Sequence, residues 1–262
     1  MNTTEERVIQ KEIAAIAFFH DFLLFLQEAR RDPFRLTERG NLRLYDIHYL
    51  GDRFHLHIYH DTLGLHGEYI RSEKDVPLLL RIRLIARLMG LTETDDKKKR
   101  LALSHDGRAF LDSLTLQAQF EQVILWYLKR YDWADWYSWY AGIARVLQRE
   151  QRDLWSYFLA RQNSRIEFGQ FLSGLREYFR LDDLLDDPAH SYVTRWAVEK
   201  MLVKDLRMFG LLAVENGKPR RFSDDEVIAA VQPTALGVHI FTLALADFPP
   251  AQTKGKGERP VS

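Results

Sequence analysis

Cationic side chains recur at matching places in the two halves of this chain, and cations so placed are what contact with a phosphate backbone requires. At about 100° per residue, Lys200, Lys204 and Arg207 gather on one face of a helix expected over residues 194–208, opposite Val198, Leu202 and Leu206. Lys218, Arg220 and Arg221 follow in the loop beyond it. In the first half Arg83 and Arg87 stand at i, i+4, and Lys97, Lys98, Lys99 and Arg100 fill the corresponding loop. Each phosphate such a group neutralises releases counterions and helps to seat a helix at a groove. A plain solvated face is the competing expectation. Lys and Arg commonly decorate helices and hairpin tips, Asp95 and Asp96 offset the loop lysines, and Leu80 and Leu84 share the outward side with Arg83 and Arg87.

Two further groups carry residue types that could do chemistry. His55-x-His57-x-x-His60, with His48 and His66 nearby and Asp52, Asp61 and Glu68 as carboxylates, holds enough ligands for a transition metal, but the spacing matches no zinc signature. Satisfied or exposed loop histidines are expected there, and no metal. The acidic groups Asp182-Asp183, Asp186-Asp187 and Asp224-Asp225-Glu226 fall beside turn signals, where Asp caps helices. No Gly-rich phosphate loop, nucleophile elbow or Ser/His/Asp order stands out, and Gly217-Lys218 lacks the spacing of a P-loop. The expectation is a noncatalytic protein without a cofactor.

The elements that must position these residues are mostly helices. Val8 to Leu26 carry apolar residues at helical spacing, Thr3 and Glu6 form a capping-box pattern, and Pro33 ends the run. Leu36-Thr37-Glu38-Arg39-Gly40 opens a polar, irregular region reaching Ser72. A helix then begins at Lys74 or Asp75 with Pro77 in its first turn and stops at Gly90. Strands over 91–94 and 100–103 flank a charged turn, and Ser104 caps the next helix. The order recurs in the second half: Gly210 stops a helix, strands over 211–214 and 228–232 flank an excursion beginning at Asn216-Gly217, and Thr234 caps the last helix. Met89-Gly90-Leu91 aligns with Phe209-Gly210-Leu211, and Ser104-x-x-Gly107 with Thr234-x-x-Gly237. Two copies of one supersecondary unit are the economical explanation.

The expected organisation is an N-terminal helix (1–32), a first winged-helix-like unit (33–114), an aromatic-rich helical connector (115–165), a second such unit (166–246) and a disordered tail (247–262). The connector holds Trp126, Trp133, Trp136 and Trp139, whose simplest role is to weld the halves together. At 262 residues with 37 basic and 37 acidic side chains, the chain has no global pull toward nucleic acid or membrane, so a local patch must supply any electrostatic partner. The absence of Cys excludes disulfides and thiolate chemistry and suits a reducing cytoplasm. The apolar stretch 14–26 is interrupted by His20 and Asp21 and is too short to span a bilayer.

Leu36-Thr-x-x-Gly40, the Ser72-Glu73-x-Asp75 lead into a helix, the Gly90-Leu91 stop and the Leu103-Ser104-x-x-Gly107 cap together resemble the helical region of plasmid pRiA4b ORF-3-like bacterial proteins. The resemblance implies a winged-helix arrangement, in which the helix before the hairpin usually recognises DNA, and it carries over no catalytic residue. The expected partner is duplex DNA. The alternative is a protein-interaction or scaffold role, with the recognition helices covered by a protein partner or by a second copy. An exposed Leu80/Leu84 patch favours the alternative; a continuous basic stripe across both halves favours DNA.

Overall fold

The computed structural model describes residues 3–56, 70–184, 191–217 and 227–246. His57, His60, Asp61, His66, Glu68, Asp186, Asp187, Lys218, Arg220, Arg221, the 224–226 acidic group and the 247–262 tail lie outside the described residues. The architecture is mainly helical, with two small antiparallel sheets of three strands each.

The apolar run expected as one N-terminal helix forms two, α1 (Thr3–Ile13) and α2 (Ala17–Arg31). The break falls at Ile16, whose backbone is extended (φ −84°, ψ 103°) and whose side chain packs over Gly210. Helical periodicity runs through this bend because both helices face the same core. Their partners differ. α1 packs on the last helix of the chain, and α2 on one helix and one strand of the first half.

After β1 (Phe34–Arg35) the chain turns tightly through Gly40 (φ 76°), bringing Leu36 opposite Leu42. It then forms α3 (Leu44–Gly51), inside the stretch expected to be irregular. With eight residues and only Ile47, Leu50 and Gly51 buried, α3 carries too short an apolar repeat to stand out from sequence. A 3-10 turn (Glu73–Asp75) follows, closed by the Asp75 carboxylate accepting the Ser72 N–H at 2.8 Å. The main helix α4 (Pro77–Leu88) begins at Pro77, because the ring keeps Val76 out of helical geometry (φ −126°, ψ 75°). β2 (Thr92–Asp95), β3 (Arg100–Leu103) and α5 (His105–Ser113) complete the first half, the strands lying in the order β1-β3-β2.

The stretch expected as a helical connector is broken into α6 (Leu116–Arg130), α7 (Trp133–Trp136), a 3-10 turn (Ser138–Tyr140), α8 (Ala141–Arg149) and α9 (Gln151–Leu159). Its tryptophans divide: Trp133 is buried, Trp126 and Trp136 are half-buried, and Trp139 is 92% exposed. β4 (Ile166–Glu167) and α10 (Phe168–Phe179) follow. A continuous helical rod comes next, made of α11 (Ser191–Ala197), a π-helical segment (Val198–Lys204) and α12 (Asp205–Met208). β5 (Leu212–Asn216), β6 (Ile228–Pro233) and α13 (Ala235–Ala246) end the described chain, with strand order β4-β6-β5.

The aligned marker residues make the same bonds in both halves. Gly90 and Gly210 take positive φ (74° and 71°), and the next N–H reaches back to Ala86 or Leu206 at 2.9 and 2.7 Å. The Ser104 hydroxyl donates to the Gly90 carbonyl at 2.6 Å and accepts the Gly107 N–H at 2.9 Å. Thr234 does the same with Gly210 at 2.7 Å and Gly237 at 2.9 Å. A Cβ on Gly107 or Gly237 would overlap the carbonyl oxygen of Leu91 or Leu211, so each cap needs glycine for close backbone approach. Buried side chains from both halves and from α6 to α9 form one continuous core.

Gly237→Ala should therefore destabilise the protein by about 1–3 kcal/mol in denaturant unfolding. Gly142→Ala, whose Cβ would meet nothing within 4 Å, should be neutral or mildly stabilising.

Candidate nucleic-acid interface

The outward faces of α4 and of the α11–α12 rod are set by charges that the two helices turn inward. Arg81 on α4 reaches Asp205 on α12 at 2.6 Å, both buried. The other Asp205 oxygen accepts the hydroxyls of Tyr127 (2.5 Å) and Tyr137 (2.6 Å). Arg81 also donates to the Tyr137 hydroxyl at 3.0 Å, and its guanidinium lies 4.6 Å from the Trp136 ring centre. Each carboxylate oxygen thus has a donor, which is the condition for a buried ion pair to be tolerated. Burial, and then the Asp205 charge, holds the phenols of Tyr127 and Tyr137 well above the usual tyrosine range.

On α4 the expected basic stripe is interrupted. Arg83 is buried: its Nε lies 2.5 Å from Glu73, and a terminal nitrogen donates to the Gly40 carbonyl at 3.0 Å. Glu73 also accepts the Leu42 N–H at 3.0 Å, so Arg83 and Glu73 fasten the Gly40 turn to α4. Burial pushes the Glu73 carboxyl above its ordinary range, against the pull of Arg83. The assignment of Arg83 to a phosphate is thereby corrected, because a wheel places it on the flank of α4 but cannot see the turn that covers it. Arg87 is exposed, in company with half-buried Leu80 and Leu84 and with Leu88 at 52% exposure.

The loop between β2 and β3 is partly self-neutralised. Asp95 accepts the N–H groups of Lys97 and Lys98 at 3.1 and 3.0 Å, and Lys98 Nζ lies 3.6 Å from its carboxylate. Lys99, at φ 50°, places its ammonium 4.0 Å from Glu38. Lys97 and Arg100 are exposed, and neither is ion-paired with a described residue.

The second half keeps its cations outward. Lys200, Lys204 and Arg207 are all exposed, while Val198, Leu202 and Leu206 are in the core. Four residues N-terminal to Lys200 stands Trp196, 51% exposed, and four before that Tyr192, 47% exposed, their rings edge-to-face at 5.2 Å. Charge alone does not single out these aromatics, although Tyr192, Trp196 and Lys200 stand at successive i, i+4 steps. Arg81 and Asp205 were missed too, and Asp205 had a signal: it is a charge in phase with Val198, Met201 and Leu202.

Of the histidine and acidic groups, the described members His55 and Asp182 make contacts within the fold. His55 donates its backbone N–H to buried Asp21 at 2.6 Å and lies with its Nδ1 3.1 Å from the same oxygen. Among the described residues no three His, Asp or Glu side chains gather as a metal ion requires. Asp182 pairs with Arg176 at 2.6 Å and accepts the Thr194 hydroxyl at 3.1 Å, tying α10 to α11. Comparison with protein-family models, curated proteins and solved structures returns no match for the chain.

Two outcomes follow. Arg83→Ala leaves Glu73 buried without its cation and should cost about 3–5 kcal/mol, measured by urea unfolding, whereas Arg87→Ala should change stability by less than about 0.5 kcal/mol. The raised phenols of Tyr127 and Tyr137 stay protonated in the folded state when the unfolded chain would release protons at its ordinary value of 10.0. Their contribution is complete below that pH and is lost as pH rises toward the folded values. Unfolding midpoints should fall above pH 10, more steeply in the wild type than in Tyr137→Phe.

Proposed function

We propose that this chain is a noncatalytic DNA-binding protein built of two winged-helix-like units, which contacts the phosphate backbone of duplex DNA through the exposed cationic face of the α11–α12 rod. Element order supports the units. Helix, strand, helix, helix and two-stranded hairpin follow one another as α2, β1, α3, α4, β2, β3 and again as α9, β4, α10, α11–α12, β5, β6, the first strand pairing with the last each time. The pRiA4b ORF-3-like resemblance points the same way. The observation that carries the reading is the exposure of Lys200, Lys204 and Arg207 along one face whose reverse is locked in the core. Lys97 and Arg100 add a smaller cationic site on the β2–β3 hairpin. Among the described residues no helix is long and apolar enough to cross a membrane.

A second reading applies to the first half. Leu80, Leu84 and Leu88 line the outward side of α4 with one exposed cation, Arg87, which favours a protein partner or a second copy of this chain at that helix over DNA.

Binding of the full chain to a generic duplex across a salt series tests the first reading. Wild type should lose affinity steeply with salt, and changing Lys200, Lys204 and Arg207 together to Ala should reduce the log–log slope by up to about 2.7, at about 0.9 per phosphate contact. No duplex binding at low salt would overturn the duplex reading.

A further inference from the structure

Lys200 and Lys204 account for phosphate contact, but they leave unexplained the two exposed rings that continue their row. Tyr192, Trp196, Lys200 and Lys204 stand at successive four-residue steps along one helical rod. In a plain α-helix each such step advances about 40° around the axis, so four residues at this spacing would spiral off one face. The π-helical segment Val198–Lys204 changes this. Its wider i→i+5 turn takes more residues per revolution, so a four-residue step no longer overshoots and the row is drawn back toward one line. The same segment turns Asp205 inward to Arg81, and its Lys200 carbonyl lies 3.4 Å from the Tyr137 hydroxyl.

The aromatic end is held in place from behind. Thr194, fully buried, donates to Asp182, and Asp182 is paired with Arg176. Arg195 is turned aside to Glu199 at 2.9 Å and over the Phe168 ring at 5.4 Å, so it does not add charge to the row. Tyr192 meets Trp196 edge-to-face at 73°, and Trp196 keeps 51% of its surface exposed.

We infer that this row is a stacking site for single-stranded nucleic acid, in which Trp196, backed by Tyr192, stacks on an unpaired base while Lys200 and Lys204 hold the adjoining phosphates. The inference rests on the reading of these cations as phosphate contacts and adds an unpaired strand to the duplex as their ligand. Base–aromatic stacking beside a cationic track is sequence-tolerant and is the recurring chemistry of single-strand binding. A ring lying along a helix face cannot reach the face of a base in a closed duplex without unstacking it, which costs a few kcal/mol. An apolar peptide would suit the rings but would desolvate the two ammonium groups beside them. Charge complementarity therefore selects a polyanion that also carries flat apolar faces.

The test compares the full chain with Trp196→Ala, Trp196→Phe and Lys204→Ala, titrated into a labelled oligothymidylate and into a blunt duplex of equal length, each across a salt series. Trp196→Ala should weaken oligothymidylate binding about 5- to 150-fold with an unchanged salt slope, should weaken duplex binding far less, and should be largely rescued by Phe. Lys204→Ala should lower the single-strand slope by about 0.7. Equal loss on both substrates, or no loss for Trp196→Ala, overturns the stacking site while leaving phosphate contact standing. Wild type that binds neither substrate overturns both.

Discussion

The arrangement of this molecule turns on one buried ion pair, Arg81 with Asp205, completed by the hydroxyls of Tyr127 and Tyr137. The pair joins α4 of the first half to α12 of the second through the interior, with α6 and the turn around α7 supplying the phenols. Two charges withdrawn from water are held only because every strong acceptor on Asp205 has a donor and the guanidinium is covered by Trp136. Such a cluster tolerates one geometry. It fixes which flank of each helix faces inward, and the exposed faces of both helices follow from that choice.

Around this centre the buried side chains of both halves and of the stretch between them form one continuous core. The bend at Ile16 sends α1 to the C-terminal helix and α2 to one helix and one strand of the first half, and Ile16 itself fills the space over Gly210. Glu12 accepts the Leu236 N–H at 2.8 Å, so the start of the chain closes the start of α13. The aromatic stretch between the sheets contributes to the same core through Tyr127, Trp133, Trp155 and Phe158. Stacking of Trp155 on Phe241, with ring centres 4.9 Å apart, links it to the second half.

The two halves repeat their internal bonds and differ in what they show to solvent. Both use a positive-φ glycine, a hydroxyl cap and a second glycine under a leucine carbonyl, because those positions are dictated by how a helix, a strand and the next helix meet. Surface positions carry no such demand. α4 therefore spends Arg83 on an internal tie and presents leucines, while the α11–α12 rod presents aromatic rings followed by cations. A single backbone plan with two unlike faces supports the proposal that the halves meet different partners.

Local punctuation was legible in the residues: the stops at Gly90 and Gly210, the caps at Ser104 and Thr234, the hairpin over 92–103, and the apolar side formed by Val198, Leu202 and Leu206. Each depends on neighbours within a turn or two, and nearby residue types suffice to specify it. The bend at Ile16, the short α3 and the division of the aromatic stretch were not legible, since apolar periodicity continues wherever successive helices face one core. The fate of individual charges was also beyond local reading. Arg83 and Lys200 look alike on a helical wheel, yet Arg83 is buried against Glu73 and Lys200 is exposed. Arg81 finds Asp205 across 124 residues of chain. The residues alone determined the glycine stops, the hydroxyl caps and the apolar side of the second-half rod, whereas only the tertiary structure decided which charges are internal, because a buried charge is stabilised by partners that sequence distance conceals.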